Sequence, residues 1–166
     1  MGIRETFLDA YDRYADAIYR HCYFRVFSRA RAEELMQETF LRAWQYLASG
    51  ENVHTMRAFL YRVANNLIID ESRKRRPVSL DELQEQGFDP GERIEEALNA
   101  RLDANAILEL LDHLSPEHRQ VIVYRFVDQL GPKDIAAMLD ESENVISVRL
   151  NRAIKQLRIH ASRPRQ

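Results

Sequence analysis

Apolar residues recur along this chain at helical rather than strand spacing. Phe7, Tyr11, Tyr14, Ile18 and Cys22 fall three or four residues apart and predict a first helix with one inward stripe. In "AEELMQETFLRAW", Ala32 to Trp44, the residues Leu35, Phe40 and Ala43, with Leu47 just beyond, predict a second. "MRAFLYRVANNLIIDESRKRR", Met56 to Arg76, predicts a third, with Leu60, Val63, Ala64, Leu67 and Ile68 inward. The polar stretch "ASGENVHT" separates the last two, with Ser49-Gly50 as a helix stop. No alternating strand pattern competes with these helices.

Pro77 ends the third helix, because a proline cannot continue the ladder of backbone hydrogen bonds. The acidic, weakly periodic stretch that follows holds Gly87 and an Asp-Pro-Gly turn, Asp89 to Gly91, and reads as a linker. Helical periodicity resumes near Ala97 with Leu98, Leu102, Ile107, Leu108 and Leu111. Ser115 before Pro116 marks the start of a helix running to about Val127. Gly131-Pro132 opens a short helix through Leu139, Asp140-Glu141 makes a turn, and Ser142 caps a longer last helix. That order is a helix-turn-helix pattern, with Ile135, Ala136 and Leu139 expected against Ile146, Leu150 and Leu157. The expected fold class is all-α: a helical domain over residues 1–76, an acidic linker over 77–96, and a second helical domain over 97–166 that carries the helix-turn-helix.

Charge sharpens this division. The 166 residues carry a net charge of −2, but it is unevenly spread. Residues 57–76 hold six basic and two acidic side chains, residues 77–113 two basic and ten acidic, and residues 114–166 nine basic and six acidic. Two segments suited to a polyanion thus flank one that repels it.

The chemistry of catalysis is missing. A single cysteine, Cys22, excludes an intrachain disulfide and a cysteine-rich zinc site, and is expected in a helix core. The five histidines are scattered without metal-ligand spacing, and there is no glycine-rich phosphate loop. We therefore expect no enzyme activity, no metal and no cofactor. No apolar run is long enough to span a bilayer, and the N-terminus lacks a signal-peptide core, so a cytoplasmic location without membrane contact is expected.

Three polar faces remain to be explained. On the last helix, with Ile146, Leu150, Ala153 and Leu157 inward, the outward side offers Ser147, Val148, Asn151, Arg152 and Lys155. Asn and Arg suit purine edges, Val148 a thymine methyl, and Lys155 a phosphate. On the third helix the basic run Ser72 to Arg76 follows Phe59, Tyr61, Asn65 and Asn66, a combination that suits unstacked bases and their backbone. On the second, Glu33, Glu34, Gln37 and Glu38 crowd one face with no basic residue interleaved among them. These residues alone leave open an autonomous helix-turn-helix regulator and a pure protein-interaction module.

The order of the parts is more specific. "AEELMQETFLRAW" resembles the Ala-Glu-Asp-Leu-x-Gln-Glu-x-Phe-x-x-x-Trp signature of bacterial extracytoplasmic-function (ECF) sigma factors. "RAFLYRVANNLIIDESRKRR" resembles the family's Trp-Leu-x-x-Ile-Ala-x-Asn-x-x-x-Asp-x-x-Arg segment. The region from Leu114 to Arg158 resembles its C-terminal helix-turn-helix. The resemblance covers about residues 5–160. It implies a subunit that joins core RNA polymerase, through clamp and flap, and directs promoter recognition, DNA melting and initiation. It implies clamp contacts at Glu34, Leu35, Gln37, Glu38 and Arg42. It implies a minus-10 surface of Ser49, Gly50, Asn52, His54, Phe59, Arg62, Asn66, Arg73, Lys74, Arg75 and Arg76, and a minus-35 surface of Ser147, Val148, Asn151, Arg152 and Lys155. An anti-sigma factor is a further implied partner. The chain departs from the family pattern in Phe59 for Trp, Asn65 for Arg, Asp140 for the turn Gly and Ser147 for Lys or Arg.

Overall fold

The computed structural model describes residues 2–73 and 104–161, with side chains in the second stretch described from Leu108 onward. Lys74, Arg75, Arg76, the predicted linker, Leu98, Leu102 and the side chain of Ile107 lie outside the described residues. The chain divides into two compact units, Met1–Val78 and Ser79–Gln166. All described elements are helical.

The first unit packs three helices, α1 (Ile3–Val26), α2 (Arg29–Ala48) and α3 (Met56–Ser72). Its core is Ile18, Cys22, Tyr23 and Phe24 from α1, Ala32, Phe40, Ala43 and Leu47 from α2, and Leu60, Tyr61, Ala64, Leu67 and Ile68 from α3. Phe27 ends α1 in the left-handed conformation (φ 56°), its N–H donating to the Tyr23 carbonyl. Ser28 then caps α2 by accepting from the Arg31 N–H at 3.3 Å, so the chain reverses within two residues. At the far end Gly50 (φ 89°) supplies the backbone turn out of α2, a conformation that side chains disfavour.

Several polar side chains inside this unit tie its helices together. Arg25 donates to Asn65 Oδ1 at 2.8 Å, tying α1 to α3, and its guanidinium also lies 3.3 Å from His21 Nε2. His21 is fully buried and meets the Tyr61 ring edge-on. Thr39, buried, donates to the Leu35 carbonyl at 2.7 Å. Arg31 at the start of α2 pairs with Glu71 at the end of α3. An aromatic cluster, Phe7 against Trp44 and Tyr11 against Phe40, joins the N-terminal half of α1 to α2.

The second unit contains α4 (Ala104–Asp112), α5 (Pro116–Ile122), α6 (Pro132–Leu139) and α7 (Glu143–Ala161). Ser115 caps α5 through the His118 N–H, with Pro116 in the first turn. The helix does not end at Ile122. It widens into a π-turn over Val123–Val127, which periodicity does not predict. The Asp128 N–H donates back to the Val123 carbonyl and that of Leu130 to the Tyr124 carbonyl. The widened turn keeps Val123 and Tyr124 buried and lets the chain leave toward α6. Ile135 and Ala136 of α6 are buried with Ile146, Leu150 and Ala153 of α7, while Leu139 and Leu157 are half-buried. His113 and His160, far apart in sequence, stack with ring centroids 4.5 Å apart.

Candidate functional site

The acidic face of α2 is built around an apolar centre that periodicity alone did not reveal. Glu34, Gln37, Leu41 and Gln45 are spaced as one face of a helix and all are exposed, with half-buried Glu38 beside them. Leu41, 49% exposed, stands in their midst. Leu35, placed inward by periodicity and among the clamp contacts by the resemblance, is only 6% exposed. It shares its flank of α2 with buried Thr39 one turn on, and so belongs to the core. The face is also less unpaired than its sequence suggests. Arg42 donates to Glu38 at 3.1 Å, and Arg31 lies 3.7 Å from Glu34.

On α3, Phe59, Arg62 and Asn66 follow one another at helical spacing on one side, and Arg73 caps the helix two turns on. Arg62, Asn66 and Arg73 are exposed, and half-buried Phe59 packs on Tyr46 of α2 at 4.9 Å. Asp70 interrupts this row with an exposed carboxylate. Ser49, Gly50, Asn52 and His54 are exposed in the loop that leads to α3, and Ser49 donates to the Tyr46 carbonyl at 2.7 Å. The loop, Tyr46 and Phe59 therefore adjoin at one corner of the unit. Tyr61 and Asn65, read from sequence as part of the same outward group, are buried instead. Their partners are His21 and Arg25, and they hold α3 in place.

In the second unit the helix-turn-helix is fixed at its turn. Asp140 takes the left-handed conformation (φ 54°), which a short polar side chain tolerates. Ser142 accepts from the Val145 N–H at 3.2 Å and starts α7. Glu141 in the turn pairs with Arg149 on α7 at 2.9 Å. Outward on α7, Asn151, Arg152 and Lys155 are exposed and Ser147 is half-buried. Val148 and Arg152 line a shallow surface cleft with Asn144, Val145, Arg149 and, from α5, Glu117 and His118. His118 Nδ1 lies 2.9 Å from Gln156 Oε1, one turn beyond Arg152, and joins α5 to α7. Val145, missed in the sequence, is as exposed as Val148.

Among the described residues no three His, Cys, Asp or Glu side chains gather as a metal site, and no helix is long and apolar enough to cross a membrane.

Comparison with known proteins agrees with this arrangement. Residues 10–78 match the sigma-70 region 2 family and residues 104–157 the sigma-70 region 4 family. The chain is 35% identical over 150 residues to the ECF RNA polymerase sigma factor SigL of Mycobacterium tuberculosis, spanning 90% of this chain and 85% of SigL. It is 29% identical over 167 residues to the ECF sigma factor SigW of Bacillus subtilis, spanning 95% and 89%. Its fold resembles that of the Bartonella quintana sigma factor RpoE, solved with the anti-sigma factor NepR (TM-score 0.71, 23% identity, 96% of this chain and 99% of that one). It likewise resembles CnrH, solved with the cytosolic domain of CnrY (TM-score 0.70, 21% identity, 96% and 91%). With region 2 ahead of region 4 and a relative of this similarity along most of its length, the chain belongs to the ECF RNA polymerase sigma factors, alternative subunits that join core RNA polymerase and direct it to initiate transcription at specific promoters.

Proposed function

We propose that the two units divide promoter recognition between them, with no catalysis by the chain itself. The domain over residues 1–76 would dock on the polymerase clamp through the outward face of α2, using Glu34, Gln37, Leu41, Glu38 and Arg42. The observation that carries this reading is Leu41, an exposed aliphatic side chain ringed by acidic and amide groups on one helix face. Such a patch suits a protein partner that covers the leucine and pairs with its polar rim.

The same domain would hold the melted minus-10 strand at the corner made by Ser49, Gly50, Asn52, His54, Phe59, Arg62 and Asn66. Arg73, with Lys74 to Arg76 beyond the described residues, would follow the backbone. Binding only the opened strand shifts the closed-to-open equilibrium of the promoter by differential affinity. The domain over 97–166 would read the minus-35 element with Ser147, Val148, Asn151, Arg152 and Lys155, and hold the polymerase flap with other surfaces. The segment over 77–96 would link the two. The chain would act in the cytoplasm, where its template is, and an anti-sigma factor would hold it in reserve; RpoE, of similar fold, is solved with the anti-sigma factor NepR.

The test is a pair of variants in the full chain. Gln37→Ala should weaken binding to core polymerase at unchanged thermal stability. Arg152→Ala should leave core binding intact and relax the minus-35 preference. If both variants bind core and select promoters like the parent, these site assignments fail.

A further inference from the structure

Val145 and Val148 are 44% and 41% exposed on the outward side of α7, in the two turns that follow its Ser142 cap. One exposed aliphatic residue is unremarkable. Here two stand three residues apart, lining one cleft with Asn144 and Arg152. Valine is stiff at its first side-chain torsion, so both methyl pairs are held in place before any partner arrives.

A valine has nothing to donate or accept. In a major groove it can distinguish bases only by apolar contact, and the thymine 5-methyl is the one apolar group that the four bases display there. Residues three apart on a helix have Cβ atoms about 5–6 Å apart, and base pairs follow each other at about 3.4 Å along the duplex axis. Duplex twist adds a lateral offset to that rise, so one valine can meet one base pair and the second its neighbour. Arg152 and Asn144 flank the valines and can fix the register through polar contacts to base edges or phosphates.

Building on the reading of α7 as the minus-35 helix, we infer that Val145 and Val148 form an aliphatic step that selects two neighbouring thymines in the minus-35 element. Val145 is then a specificity-determining residue of this chain, and the cleft wall from Asn144 to Arg152 is its reading edge.

Deoxyuridine, which differs from thymidine only by the missing 5-methyl, tests this without touching the protein. The full chain with core RNA polymerase is first used to select a preferred minus-35 element from a randomised library on a fixed minus-10 background. Each thymine of the selected element is then replaced by uracil, and holoenzyme affinity is measured at one salt concentration. Two neighbouring positions should each lose about fourfold, the worth of one buried methyl. Val145→Ala should abolish the uracil effect at one of them and Val148→Ala at the other. A selected element without adjacent thymines overturns the inference. So does a uracil scan without effect while Arg152→Ala still alters the preference; the reading of α7 then stands and the valine step falls. If no minus-35 preference emerges at all, the reading of α7 falls first.

Discussion

Glu141 in the turn and Arg149 on α7 form an ion pair at 2.9 Å that ties the turn of the helix-turn-helix to its second helix. Arg149 is mostly covered, and its neighbours Val148 and Arg152 line the cleft on the outward side. The pair thus links the geometry of the turn to the surface proposed to meet DNA. It is partly screened by solvent, so Glu141→Ala should cost only about 0.5–1 kcal/mol. Chemical denaturation of the full chain would measure this, and the minus-35 affinity of the variant should fall together with its stability.

Leu35 and Leu41 sit six residues apart on α2 with opposite fates. Leu35→Ala removes a core side chain and should destabilise the first unit by about 2–5 kcal/mol. Leu41→Ala removes an exposed one and should change stability by less than about 0.5 kcal/mol. Binding to core polymerase should respond in the other order once folding is accounted for. Melting curves beside core-binding titrations would separate the two.

Asn65 is a structural residue on this account. Its Oδ1 accepts from Arg25 in a partly buried site, so Asn65→Ala removes a charge-assisted hydrogen bond that ties α1 to α3. The expected loss is about 1.5–3 kcal/mol of stability. Asn66→Ala, one residue on and exposed, should leave stability nearly unchanged and act only on promoter opening. Thermal melting and permanganate footprinting of the open complex would show the contrast.

Burial pushes the Tyr23 phenol well above the usual tyrosine value of 10.0, with Tyr19 adding to the rise and Arg29 opposing it. The unfolded chain gives up this proton near that value and the folded chain only above it. The stabilisation is complete below about pH 10 and is lost as the pH climbs through the folded value. Tyr23→Phe keeps the ring and removes the proton. Its melting temperature should fall less steeply than the parent's between about pH 9 and 11.

Much of this architecture was legible in the chain because it follows from local rules. Ser115-Pro116, Gly131-Pro132, Asp140 and Ser142 set boundaries through capping and backbone preference, and the structure uses each of them at its expected place. What periodicity could not show is which edge of an apolar stripe a neighbour covers. Leu35 and Leu41 differ in burial because neighbouring helices cover one flank of α2 and not the other. Tyr61 and Asn65 looked like DNA contacts because their side chains suit bases, yet His21 and Arg25 from α1 supply their partners across the core. The π-turn at Val123–Val127 depends on backbone bonds from Asp128 and Leu130 that no spacing rule announces. Val145 stands out only through its exposure beside Val148, which spacing does not give.

The most direct test of the central claim is reconstitution. The purified chain is added to core RNA polymerase, and transcription starts are mapped across a promoter library. The account predicts starts that require the chain and share two upstream elements, one melted near the start and one read as duplex further upstream. Starts that do not depend on the chain, or that share no upstream motif, would contradict it.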